Sequence, residues 1–176
     1  MIDVLVPLAA RLSTGALFLA AAAHKASQPS RFRRTLVGYR VFGPAAGGLA
    51  IVTPCVEFAV GAAALAPSRA LFAPALACAA LLLVAYAGLL WTSIRAGRRS
   101  IDCGCLSFGA RGRELTPAMA VRNLAFAGVA LAGLLATVER PLGWLDALQL
   151  APALVSAALL YGAIELASAL PSRSTT

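Results

Sequence analysis

The chain has 176 residues, of which 60% are hydrophobic and 12% are charged, and its mean hydropathy is +0.83. Soluble domains contain roughly 45–50% apolar and about 25% charged residues, so this composition predicts a membrane protein. The formal net charge of +8 does not indicate nucleic-acid binding, because the basic residues lie between apolar blocks and are not interleaved with aromatic residues on a polar surface.

Five apolar blocks are long enough to cross a bilayer, which takes about 20 mostly apolar residues at roughly 1.5 Å each. They predict helices over about 4–23, 44–66, 70–94, 118–138 and 142–166. The predicted fold class is therefore all-α, a polytopic transmembrane helical bundle. Small residues in the blocks predict close helix packing. The glycines concerned are Gly47, Gly48, Gly61, Gly128 and Gly133.

The first block is interpreted as a retained helix. A signal peptide begins with a basic region and has an apolar core of about 7–15 residues. Here Asp3 stands near the start, and no Lys or Arg precedes Arg11.

Glu57 lies in the middle of the second predicted helix. A charged group at membrane depth costs about 2.5–3.5 kcal/mol on insertion scales and usually has a partner inside the bundle. Lys25 and Arg122 are the candidate partners, and a buried structural ion pair is favoured over a proton relay. Three roles are open for Arg122 and Asn123: capping the preceding loop, holding a quinone or a partner, or, for Arg122, extending to the membrane surface.

Cys103 and Cys105 flank Gly104 in the polar stretch between the third and fourth predicted helices. Two thiols are too few for a tetrahedral metal site, so no metal is predicted. Thiol pairs exchange disulfides through the thiolate, which nearby basic residues favour. The spacing leaves two interpretations open, a redox pair and two loop cysteines without a role. Cys55 is a candidate third thiol that could resolve a mixed disulfide, although a buried cysteine is more often a small packing residue.

The basic residues also predict the orientation of the bundle. Twelve of the fifteen Lys and Arg residues lie between the first two predicted helices, around the Cys pair, at the start of the fourth helix or in the C-terminal tail. Arg11, Arg69 and Arg140 are on the opposite side. The positive-inside rule then places the N-terminus outside and Cys103 and Cys105 on the cytoplasmic face.

Several short motifs carry a family likeness, and their order along the chain is more specific than any one of them. They are His24-Lys25 followed by Pro29, Phe32, Leu36 and Tyr39, then Thr53-Pro54-Cys55-Val56-Glu57, then Cys103-Gly104-Cys105 followed by Phe108-Gly109, and finally Arg122-Asn123. With these motifs the chain resembles the MauE branch of the DoxX-like membrane proteins. It departs from the family pattern at Leu106-Ser107, which separate the second cysteine from Phe108-Gly109.

The resemblance implies a four-helix bundle with the Cys-Gly-Cys loop over residues 1–141 and an additional helix with a short tail over 142–176. It implies a multi-pass protein of the bacterial cytoplasmic (inner) membrane that handles thiols and disulfides with a thioredoxin-like partner. The family is linked to maturation of the disulfide-rich subunit of methylamine dehydrogenase. The redox pair would be Cys103 and Cys105, with Cys55 as a further candidate. The supporting residues would be Glu57, Lys25, Arg122 and Asn123.

The role within that chemistry stays open between an electron conduit, a subunit of a quinone-linked oxidoreductase and a membrane dock for the thioredoxin-like partner. Quinone is therefore the cofactor to consider. Disulfides mature outside the cytoplasm, whereas the charge pattern places the Cys pair inside. Either the pair passes reducing equivalents outward or the charge rule fails in this chain. A small transporter or assembly scaffold, which would depend on Glu57 and Arg122 but not on the thiols, is the alternative function.

Overall fold

The computed structural model describes residues 3–98, 115–135 and 143–167, with side chains through Ala163, and these ranges are helical apart from short turns. The helices are α1 (Leu5–Ser27), α2 (Pro29–Gly38), α3 (Ala46–Leu65, preceded by the 3-10 turn Gly43–Ala45), α4 (Arg69–Arg95), α5 (Pro117–Ala132) and α6 (Trp144–Ala167). Cys103 and Cys105 lie outside the described residues, so their interpretation stays a prediction. The division of the chain near residue 141 likewise stays a prediction.

Within the described ranges, four segments are long and apolar enough to cross a membrane, namely α1, α3 with its preceding turn, α4 and α6. This confirms the prediction of a polytopic helical bundle. The fourth predicted span, in contrast, is shorter than expected. Helix α5 ends at Ala132 instead of reaching residue 138, and its 16 residues extend only about 24 Å at 1.5 Å each. Gly133, a residue of low helix propensity, follows it in a turn.

The stretch between the first two spans contains a helix that the hydropathy pattern did not predict. Helix α2 begins at Pro29, whose missing N–H costs no hydrogen bond at the first helical position. Its Phe32 and Leu36 side chains are buried against α3, whereas Arg33 and Arg34 are exposed. Helix α2 is therefore amphipathic, with its apolar face on the bundle.

The α1–α3 and α4–α5 pairs form the largest helix contacts in the described part of the chain. At the α1–α3 contact, a Cβ built on Gly61 would lie 3.0 Å from the backbone nitrogen of Leu19. A Cβ built on Gly133 would lie 2.8 Å from the Cδ1 atom of Leu76. The packing prediction is thus confirmed at Gly61 and Gly133. It is wrong for Gly47, Gly48 and Gly128, because no described atom beyond their own stretch of helix lies within 4 Å of their Cβ positions.

We expect topology reporters fused after Ser68 and after Arg111 to report opposite sides of the membrane, with Arg111 cytoplasmic. The expectation follows from the twelve-to-three distribution of basic residues and from the 27-residue helix α4 between the two fusion points. A control fusion after Arg34 should report the same side as Arg111. An external signal at Arg111 would overturn the orientation and would place the Cys pair on the side where disulfides mature.

Candidate functional site

A polar cluster of three side chains, two buried and one half-buried, joins α1, α3 and α4. Glu57, near the middle of α3, is 1% exposed, and Lys25, near the end of α1, is 5% exposed. The Lys25 ammonium donates to both carboxylate oxygens of Glu57, at 2.5 Å to Oε1 and 2.7 Å to Oε2. The Tyr86 hydroxyl donates to Glu57 Oε1 at 2.7 Å. The cluster therefore satisfies the buried carboxylate with one cation and one neutral donor.

Helix direction explains how Lys25 reaches a residue in the middle of the neighbouring span. Contacts of Gly15 with Leu65 and of Lys25 with Glu57 show that α1 and α3 run antiparallel. Side chains on a helix tilt toward its N-terminus, so Lys25 points from the end of α1 back into the bundle. Its Nζ lies 5.5 Å from the Phe32 ring centroid and 5.4 Å from that of Tyr86, distances at which a ring face attracts a cation.

Of the two bases considered as partners of Glu57, the structure selects Lys25. The guanidinium of Arg122 lies instead 5.8 Å from the ring centroid of Tyr161, where it links α5 to α6. Asn123 is 4% exposed, and its Nδ2 has no hydrogen-bond partner among the described residues. Arg122 and Asn123 line a small cavity together with Lys25, Glu57 and Tyr86. Its volume of about 40 Å³ is enough for ordered water, at about 10–15 Å³ a molecule, but not for an organic ligand.

Cys55 does not face the cluster. Two residues along an α-helix correspond to a rotation of about 200°, so Glu57 and Cys55 point to nearly opposite sides of α3. The Cys55 thiol is exposed on the outer face of the helix. This corrects the alternative in which Cys55 is a buried packing residue, whereas its role as a resolving thiol stays a prediction. No group of three or more His, Cys, Asp and Glu residues that could hold a metal occurs within the described ranges.

Tyr86 is the member of the cluster that sequence reasoning missed. It is the single tyrosine of the largely apolar third block, and nothing in the spacing relates it to Glu57. Its hydroxyl, placed inside a predicted span, is the signal that could have identified it. A Tyr hydroxyl that is removed from water usually has a hydrogen-bond partner.

Comparison with known proteins covers Lys25, Cys55, Glu57, Tyr86, Arg122 and Asn123. The sequence profile of the family described as methylamine utilisation protein MauE matches residues 4–136. A relative from Paracoccus denitrificans, methylamine utilization protein MauE, is 33% identical over 133 residues, which are 75% of this chain and 70% of the relative. No solved structure matches the chain.

Proposed function

This chain belongs to the MauE family of membrane proteins associated with methylamine utilisation, and we propose that it exchanges thiols and disulfides through Cys103 and Cys105. The observation that carries the proposal is the glycine-spaced cysteine pair inside the region that the family profile matches. Five arginines surround the pair between residues 95 and 113, and positive charge favours the reactive thiolate. The protein would act in the bacterial cytoplasmic membrane in disulfide formation or maturation of another protein.

The proposed reaction uses a thioredoxin-like partner. A thiolate of the partner attacks one sulfur of the Cys103–Cys105 disulfide, which forms a mixed disulfide and releases the other cysteine as a thiolate. The second thiolate of the partner then attacks the mixed disulfide. The partner leaves with a disulfide, and Cys103 and Cys105 are left reduced by two electrons.

Mass-shift alkylation tests the pair. The oxidised protein is expected to carry two fewer alkylated thiols than the reduced protein, and Cys103→Ser/Cys105→Ser should abolish the difference. The Cys55→Ser/Cys78→Ser variant is the matched control, because both of these thiols are exposed on outer faces of α3 and α4. It should retain the full redox-dependent shift. Identical alkylation of the natural chain under both conditions would contradict the proposal.

The Lys25–Glu57–Tyr86 cluster supports a second candidate, a scaffold or small transporter that does not use the thiols. Complementation of cells that lack the natural gene distinguishes the two functions. If the thiols react, Cys103→Ser/Cys105→Ser fails to restore the lost function even though the protein accumulates in the membrane. A scaffold or transporter with serine at both positions would restore it fully.

A further inference from the structure

A second, larger cavity lies on the other side of the Lys25–Tyr86 contact, between α2, α3 and α4. Its volume is about 290 Å³, near the lower end of the roughly 300–1,000 Å³ typical of small-molecule sites. Its walls are aromatic and aliphatic. They include Phe32, Tyr39 and Phe42 from α2 and the residues after it, Val52 and Val56 from α3, and Ala85 from α4.

The cavity has one charged corner. Lys25 and Tyr86 line it, and the ammonium of Lys25 lies near the ring centroids of two wall residues, 5.5 Å from Phe32 and 5.4 Å from Tyr86. A lysine ammonium has three donor hydrogens. Two are directed at the oxygens of Glu57, so the third can serve an acceptor inside the cavity.

The cavity is accessible from the apolar side of the bundle. Val52 is 54% exposed and Val56 is 40% exposed on the outer face of α3. Ala85, on the facing helix α4, is exposed as well. All three lie in spans that are apolar enough to be surrounded by lipid. A molecule dissolved in the bilayer can therefore reach the charged corner without passing through water.

We propose that this cavity binds the ring of an isoprenoid quinone, with one quinone carbonyl accepting a hydrogen bond from the Lys25 ammonium. The inference rests on the proposed thiol function, because a dithiol that is oxidised again needs an acceptor. Closure of the Cys103–Cys105 disulfide replaces two S–H bonds with one S–S bond and releases two electrons and two protons. A quinone takes up both at its carbonyl oxygens and becomes a quinol.

The chemistry of the corner favours a quinone over a lipid tail. An acyl chain fits apolar walls, but it carries no acceptor for the third ammonium hydrogen of Lys25, the other two being directed at Glu57. A quinone combines a flat ring that stacks on aromatic walls with carbonyl oxygens at its edge.

Quinone binding to the purified full-length protein in detergent tests the site, with ubiquinone-1 and menadione as probes and calorimetric titration as the readout. Ala85→Phe fills the cavity from an exposed wall position and should raise the Kd of the bound quinone about tenfold or more. Ala59→Phe is the matched control, because Ala59 is exposed on α3 and does not line the cavity. It should leave the Kd unchanged. Glu57→Gln/Lys25→Met, which removes the proposed donor without leaving an unpaired buried charge, should raise the Kd about tenfold.

The Cys103→Ser/Cys105→Ser variant separates this inference from the proposed function. It should bind quinone as tightly as the natural chain, so failure of the thiol chemistry does not remove the binding signal. The site is overturned if neither probe binds or if Ala85→Phe and Ala59→Phe have the same Kd. It is also overturned if native mass spectrometry finds a bound phospholipid that Ala85→Phe removes and neither probe displaces.

Discussion

Glu57→Gln is expected to lower the free energy of unfolding by about 3–5 kcal/mol, the cost of breaking a buried ion pair from one side. The carboxylate accepts three hydrogen bonds, two from Lys25 and one from Tyr86. Glutamine has one acceptor oxygen, and its amide group would face the donors of Lys25. The ammonium would then remain buried without a counter-charge. Thermal unfolding in detergent measures the loss.

A second substitution distinguishes the ion pair from other causes. Glu57→Gln/Lys25→Met should recover much of the lost stability, because replacing both partners of a buried pair is often close to neutral. Tyr86→Phe, which removes one donor and keeps both charges, should cost about 1.5–3 kcal/mol, as expected for a hydrogen bond to a charged group. Asp3→Asn is the exposed control and should change stability little, because the amide oxygen of Asn can accept the Leu5 N–H hydrogen bond that Asp3 accepts.

Turnover measured beside stability decides the role of the pair. If Glu57 relays protons, Glu57→Gln would fold normally and stop thiol oxidation, which contradicts the structural interpretation. If Glu57→Gln changes neither stability nor turnover, both interpretations are wrong.

The approximate positions of four of the five predicted spans were predictable because hydropathy and length are properties of the local sequence. Residues 44–66 and 70–94, for example, agree closely with α3 and α4. The need for a partner of Glu57 was also predictable, because a charge at membrane depth is costly when it is unpaired. Choosing Lys25 over Arg122 required the packing of α1 on α3, which composition does not encode.

Other features depend on contacts that are not local. Helix α2 carries three arginines and is polar on one side, so a hydropathy average does not distinguish it from a loop, although its buried Phe32 and Leu36 follow a helical spacing. The apolar composition of the fourth block continues past residue 132, so composition alone could not locate the end of α5. Tyr86 joins the cluster only because α4 packs beside α3.

Close packing at Gly61 also depends on a contact between helices that are distant in sequence, and substituting this glycine should strongly lower stability. Gly61→Val should destabilise the bundle by about 3 kcal/mol, the upper part of the usual range for over-packing. A Cβ at this position would lie 3.0 Å from the backbone nitrogen of Leu19 and 3.1 Å from the carbonyl oxygen of Gly15. Backbone atoms cannot rotate away as a side-chain end can, so α1 and α3 would have to separate.

Gly128→Val is the matched control for this substitution. Gly128 lies inside helix α5 on its exposed face, with no described atom beyond its own stretch of helix within 4 Å of its Cβ position, so the same change should be close to neutral there. Thermal unfolding in detergent compares the two variants. Adding Leu19→Ala to Gly61→Val should restore little, because it removes a side-chain contact and leaves both backbone contacts in place. Equal unfolding temperatures for Gly61→Val and Gly128→Val would show that α1 and α3 do not pack through Gly61.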